Sequence, residues 1–332
     1  MDTYNPVPVS ENAVDAFSQN LYNEKIQQIR EKVAGVIIGQ EFATDLILTA
    51  LLANGHVLVE GVPGVAKTLT ARLIAKLVDA EFSRIQFTSD IMPSDVLGTN
   101  VYNMGTSQFE FHRGPAFGDI ILVDEINRAP AKTQSALFEV MEERQATIDG
   151  TCYKMGDIYT IVATQNPIEQ EGTYRLPEAQ MDRFMFKVVV DYPSLEGEIK
   201  VLQAHNQSQV FARLDNIEPI VSKSDLMELR RLASQTLINE NMMRYIATIV
   251  QKTRSHNAIY VGASPRASIA LLQASKAFAL LHGRSYVVPD DVKLLAVPVL
   301  QHRISLTAEA EMDGVTVQKV IGDVVNSVEV PK

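Results

Sequence analysis

The spacing of apolar residues changes character twice along this chain. Leu21, Ile26, Ile29 and Val33 fall at helical intervals and predict a helix over 21–34. Ahead of it, residues 1–20 are polar, carry Pro6 and Pro8, and read as a loose arm. From there to about 190, short apolar runs alternate with helical patterns. HVLVE at 56–60 precedes a Gly/Pro turn and the helix KTLTARLIAKLVD; then come RIQF at 84–87, DIILVD at 119–124, IYTIVAT at 158–164 and MFKVVVD at 185–191. This alternation predicts an α/β fold with a mostly parallel sheet between helices, and near-continuous apolar strands suit a sheet covered on both faces.

The second change falls at DYPSLEGE, 191–198. Helical periodicity then recurs around 196–206, 224–236, 241–255, 265–282 and 289–302, and strand signals are few until a valine-rich tail near 315–330. The reading is an α/β core over 21–192 and a smaller, mainly helical domain over 193–332, with Pro193 near the joint. Two excursions interrupt the core. Residues 88–112 replace an expected helix, and Met104, Gly105, Phe109 and Phe111 suggest a hairpin-like insert. Over 146–157, Asp149-Gly150 is a tight-turn pair between alternating segments, predicting a second hairpin.

Bulk properties narrow the function. With 332 residues, 46% of them apolar, the chain can build two cores. A net charge of −10, from 40 acidic and 30 basic side chains, argues against a generic nucleic-acid binder or a protein held on anionic lipid. A lone Cys152 cannot form an internal disulfide and fits a reducing compartment. The N-terminus lacks signal-peptide features and no apolar run is long enough to span a membrane, so a cytoplasmic protein without membrane insertion is expected. Six scattered histidines form no HExxH or similar metal pattern.

The chemistry concentrates at strand ends. GVPGVAKT (Gly61, Val62, Pro63, Gly64, Val65, Ala66, Lys67, Thr68) stands between a strand and a helix that continues with Leu69. A phosphate chain needs inward N–H groups, a compact cation and a hydroxyl for magnesium; the loop, Lys67 and Thr68 supply these. Ala66 occupies the place where GxxxxGK[ST] has glycine, so its Cβ either tolerates ordinary backbone angles or weakens phosphate binding. In DIILVDEIN, Asp124 and Glu125 end a buried strand, where one can hold a Mg²⁺ shell and the other polarise water. Asn166 ends a third strand, in IVATQNP, and its amide can orient water against a phosphate. Arg183, in LPEAQMDRF, suits an arginine finger, with a salt bridge to Asp182 or Glu178 as the rival. Arg266 follows Ser264 and Pro265, an N-cap and first helical residue. A cation in that turn opposes the helix dipole unless an anion is near.

In this order the motifs GVPGVAKT, VDEINRAPAKTQSALFEVMEER, ATQNP, LPEAQMDRF and GASPRA resemble the MoxR family of AAA+ ATPases, from about residue 30 to the C-terminus. The resemblance implies a five-stranded P-loop core with a helical lid, ATP and Mg²⁺ as ligands, and Gly39 and Gln40 of VIIGQ near the adenine. It implies Walker A Lys67 and Thr68, Walker B Asp124 and Glu125, sensor 1 Asn166, finger Arg183 and sensor 2 Arg266. Ala66 is itself typical of such proteins. It further implies a homo-oligomer, a hexameric ring, acting on protein clients in chaperone-like maturation or metal insertion, often with von Willebrand factor A domain proteins. The two hairpins resemble the helix-2 insert and pre-sensor-1 hairpin of that clade and would face the pore. Arg183 is expected to act on the neighbouring subunit and Arg266 within its own. Two other readings share these motifs: a nucleic-acid translocase, which wants basic and aromatic pore loops, and a slow nucleotide-dependent switch or scaffold. Segment 88–112 contains no lysine or arginine, which favours a protein client.

Overall fold

The computed structural model describes residues 11–62, 66–166, 173–174, 176–206 and 217–331. Pro63, Gly64 and Val65 of the phosphate-loop motif lie outside the described residues. Strands β1 (Val57–Gly61), β2 (Phe82–Gln86), β3 (Gly98–Asn103), β4 (Gln108–Arg113), β5 (Ile120–Asp124), β6 (Gln145–Ile148), β7 (Thr151–Lys154), β8 (Thr160–Gln165) and β9 (Phe186–Val190) follow in chain order. Five of them form one sheet, in the order β2-β5-β8-β1-β9, and every pairing is parallel. The core helices are α1 (Glu11–Ala34), α2 (Glu41–Leu52), α3 (Lys67–Leu77), α4 (Pro93–Leu97), α5 (Ala131–Glu143) and α6 (Glu178–Met181).

Strand alternation divides the core in two. Val57, Val59, Leu122, Val162 and Phe186 face one cluster; Leu58, Ile121, Val123, Ile161 and Ala163 face the other. In the second domain come α7 (Leu195–Asn206), α8 (Lys223–Gln235), α9 (Glu240–Thr253), α10 (Pro265–Leu281), α11 (Pro289–Leu300), α12 (Ala308–Met312) and α13 (Val317–Asn326). Leu226, Ile246, Leu271 and Leu295 join the cluster that holds Val57 and Val59, so most of the lid shares the core of one sheet face, with a small cluster of Leu306, Ala310 and Val320 of its own. Ser264 caps α10 by accepting from the Arg266 N–H at 3.2 Å, with Pro265 first in the helix, as the sequence predicts.

Two expectations are corrected. Residues 11–20, read as part of a loose arm, belong to α1: the prolines that forbid a helix stop at Pro8. The valine-rich tail is the helix α13, not a strand. Val320, Ile321, Val324 and Val325 are buried at helical spacing behind a Thr316 cap, and this periodicity overrides β-branched propensity.

Both hairpins form as read. β3 pairs antiparallel with β4, and β6 with β7 around Asp149 and Gly150, both at positive φ (49° and 81°). They touch one another. Phe111 stacks on Tyr153 with ring centroids 4.0 Å apart, and Asn100 Nδ2 donates to Asp149 Oδ2 at 2.7 Å.

Core and lid meet at the residues after α11. Arg303, almost fully buried, donates to Asp182 Oδ1 at 2.7 Å and to the Phe184 carbonyl at 2.7 Å; His302 Nε2 lies 2.9 Å from the same carbonyl. Burial pushes His302 well below its ordinary pKa, and pushes His56, which bridges the Ile161 amide and the Met141 carbonyl, down to about 3. Both histidines are therefore neutral in the fold at neutral pH, whereas an unfolded chain protonates them near 6.5. As pH falls below 6.5, the unfolded state binds more protons and stability is lost, by up to about 1.4 kcal/mol per pH unit for each histidine. Thermal unfolding at pH 7 and pH 5 tests this; an unchanged midpoint would contradict it.

Candidate nucleotide-binding site

The C-terminal ends of the parallel strands gather Gly61, Asp124, Glu125 and Asn166, with Lys67 beside them. β1 delivers Gly61, whose added Cβ would lie 2.5 Å from the Val190 carbonyl on β9. Glycine here is demanded by the neighbouring strand, where the sequence suggests only phosphate approach. Lys67 opens α3, and its Nζ donates to the Gly61 carbonyl at 2.6 Å. Burial lowers its pKa against the opposing pull of Asp124, Glu125 and Glu60. Thr68 and Leu69 follow in the first turn of α3.

Ala66 settles the question left open by its Cβ: it sits at φ 55°, ψ 20°, in the left-handed region. The position needs the backbone that glycine adopts freely, and alanine holds it at a cost of about 1–2 kcal/mol. Glu125 is also left-handed, at φ 56°, ψ 51°. Its carboxylate is fixed by Gln86 Nε2 at 3.0 Å and Arg128 Nε at 2.9 Å. Strain of this kind persists where the surroundings over-determine it.

Asp124 ends β5, nearly buried, with Arg84 Nε at 2.7 Å from Oδ2. Thr164 bridges the two acids: its Oγ1 donates to Asp124 Oδ1 at 3.2 Å and accepts from the Glu125 N–H at 3.1 Å. Sequence reading passed over Thr164. The available signal was a threonine two places before Asn166, after the apolar run Ile161–Ala163. Asn166 directly follows β8, on the same edge as Asp124 and Gly61. Gly39 and Gln40 line a cavity of about 560 Å³ with Phe42, Val190, Tyr192 and Leu294. Val190 touches Gly61, so this apolar slot adjoins the loop and suits a flat base.

The two arginines lie elsewhere. Arg266 gives Glu142 a two-pronged ion pair, 2.6 Å to Oε1 and 3.2 Å to Oε2; Arg183 Nε is 3.7 Å from the same Oε2. Both rivals named for Arg183 are engaged differently: Asp182 with Arg303 and Glu178 with Ser305. The anion that relieves Arg266 of the dipole penalty is thus Glu142, and hydrogen bonding to it raises the Arg266 pKa. Glu142 closes α5 beside Asn54, His56 and Met185, residues that precede β1 and β9. This is the N-terminal edge of the sheet. Five residues of β1 separate the edges by about 15 Å, so Arg266 does not accompany its own Lys67, contrary to the sensor 2 expectation.

The fold is that of the AAA class of P-loop ATPases, a five-stranded parallel sheet with a helical lid. Residues 56–186 match the model of the ATPase family associated with various cellular activities, and 251–324 match the AAA lid domain. The YeaC protein of Bacillus subtilis is 46% identical over 91% of this chain and 93% of its own length. Chaperone MoxR1 of Mycobacterium tuberculosis is 42% identical over 91% of this chain and 81% of its own. A crystal structure assigned as an ATPase from Cytophaga hutchinsonii superposes with a TM-score of 0.88 at 40% identity, covering 98% of this chain and all of that one. The chain belongs to the MoxR family of AAA+ ATPases. Among the described residues no helix is long and apolar enough to cross a membrane.

The left-handed Ala66 makes a sharp prediction. In denaturant unfolding, stability should fall in the order Ala66→Gly, wild type, Ala66→Val, with about 1–2 kcal/mol between the first two and a further loss for valine. An ordinary helical position would put glycine last, and that order would contradict the assignment.

Proposed function

We propose that this chain binds and hydrolyses ATP at a site shared between two copies of itself. The observation that carries this reading is the separation of the functional groups onto opposite edges of one sheet. Lys67, Asp124, Glu125 and Asn166 stand at the C-terminal edge, and Arg183 and Arg266 stand together at the N-terminal edge. In a head-to-tail ring, the second edge of one subunit faces the first edge of the next. Both arginines then serve the neighbour's γ-phosphate, a revision of the cis role expected for Arg266.

The donor set fits Mg²⁺. Among the described residues no group of three or more His, Cys, Asp or Glu is placed to hold a metal. Asp124 with the Thr68 hydroxyl offers the sparse, hard-oxygen set that magnesium takes when phosphates complete its shell. The ion would neutralise charge on the β/γ-oxygens. Lys67 binds the same phosphates, Glu125 orients and deprotonates the attacking water, and Asn166 holds that water in line. Arg183 and Arg266 stabilise charge on the γ-phosphoryl and leaving oxygens.

Remodelling of protein clients is the work we assign to this hydrolysis. Met104 and Phe109, at the tip of the β3–β4 hairpin, are 89% and 71% exposed, and Tyr102 packs edge-on against Phe109. With no lysine or arginine in 88–112, and Arg113 at the base of β4 away from the tip, this surface suits apolar polypeptide better than nucleic acid. The chaperone naming of the Mycobacterium relative agrees.

Lys67→Ala should abolish ATP turnover in the purified chain. Arg183→Ala should keep ATP binding and lose turnover by about 10³-fold. Mixed with Glu125→Gln, Arg183→Ala should regain turnover, because mixed interfaces reunite intact halves. No recovery at any mixing ratio would sink the shared site.

A further inference from the structure

Glu142 joins Arg183 of the core to Arg266 of the lid, beside the Ser264–Asp182 hydrogen bond that also links the two parts. Arg183 comes from the core, just after α6, and Arg266 from the first turn of lid helix α10. Arg266 is more than half exposed on a flexible stem, in a turn whose dipole repels cations. Two guanidinium groups brought together without a counter-charge would separate. Other charges lining the cavity are committed: Asp182 to Arg303 and Ser264, and Arg144 to the carbonyls of Asn54 and Tyr159. Glu142 holds Arg266 by both oxygens and draws Arg183 to 3.7 Å.

We infer that Glu142 is a positioning residue, gathering Arg183 and Arg266 into one two-guanidinium receptor for the triphosphate bound by an adjoining subunit. The inference rests on the shared-site reading above. One carboxylate between two guanidinium groups leaves a net positive charge facing a cavity of about 460 Å³. Because Glu142 ties a core arginine to a lid arginine, it also fixes the lid at the face that meets the neighbour.

The test uses the full-length chain carrying Glu142→Gln or Glu142→Asp, with Arg183→Ala alongside, assayed for steady-state ATP turnover alone and mixed with Glu125→Gln. Glu142→Gln should lower kcat about tenfold with KM for ATP within about twofold, since the ATP-binding half is untouched. Glu142→Asp, which keeps the charge, should recover at least about half of the loss. At equal mixing with Glu125→Gln, about a quarter of interfaces pair two intact halves, so turnover should return for Glu142→Gln as for Arg183→Ala. Unchanged kcat in Glu142→Gln overturns the inference, and so does an aspartate variant no better than glutamine. If Arg183→Ala recovers on mixing and Glu142→Gln does not, Glu142 acts inside its own subunit and the positioning role is wrong. If neither recovers, the shared site itself fails and takes this role with it.

Discussion

A parallel sheet sealed on both faces can do chemistry only at its two edges. Here β5 is buried along its whole length, and β1 and β8 nearly so. Side chains alternating above and below the sheet are consumed by packing, which leaves polar groups to the residues that enter and leave the strands. The C-terminal edge collects acids, an ammonium and an amide. The N-terminal edge collects guanidinium groups around one carboxylate. Parallel strands keep the two sets about 15 Å apart. A chain built this way carries the ingredients of a phosphoryl-transfer site without being able to assemble them alone, and in our reading association supplies the missing proximity.

Close placement at the first edge is achieved by backbone strain and by one hydroxyl. Ala66, just ahead of Lys67, and Glu125, directly after β5, each occupy a left-handed conformation. Thr164 then links Asp124 and Glu125 from the adjacent strand. The acids differ accordingly. Asp124 is nearly buried and paired, as a group bearing on a cation should be, whereas Glu125 is partly open and held by Gln86 and Arg128, as a group meeting water should be.

Most of this was legible in the residues, and the failures are informative. Alternating apolar runs located every sheet strand to within about two residues, because buried parallel strands have little compositional freedom. Local chemistry identified the Ser264 cap and the Asp149-Gly150 turn. The valine-rich tail was misread because β propensity is a weaker determinant than the spacing of Val320, Ile321, Val324 and Val325. Arg266 was read as a cation whose place in the first turn favours a phosphate contact, whereas the anion beside it is Glu142, 124 residues away on the far end of α5. Nothing in spacing specifies which end of a helix meets a lid. Glu142 was unreadable for the same reason: VMEER looks like any solvated helix end.

The shared core constrains how such a subunit can move. Lid helices α8 to α11 bury apolar side chains in the same cluster as β1 and α2, and close-packed interiors resist gradual deformation. Buried Arg303 and His302 tie the end of α11 to the backbone entering β9. A lid joined to its core by packing on one face and by a buried cation at the joint cannot swing as a loose arm. The tie between Arg266 and Glu142 is an exposed ion pair, of a kind that contributes little to stability. Nucleotide in the proposed ring would therefore act on the lid through the neighbour's phosphate at that tie, with the rest of core and lid turning as one body. The stacked hairpins, bound to each other through Phe111 and Tyr153, would be carried along with it.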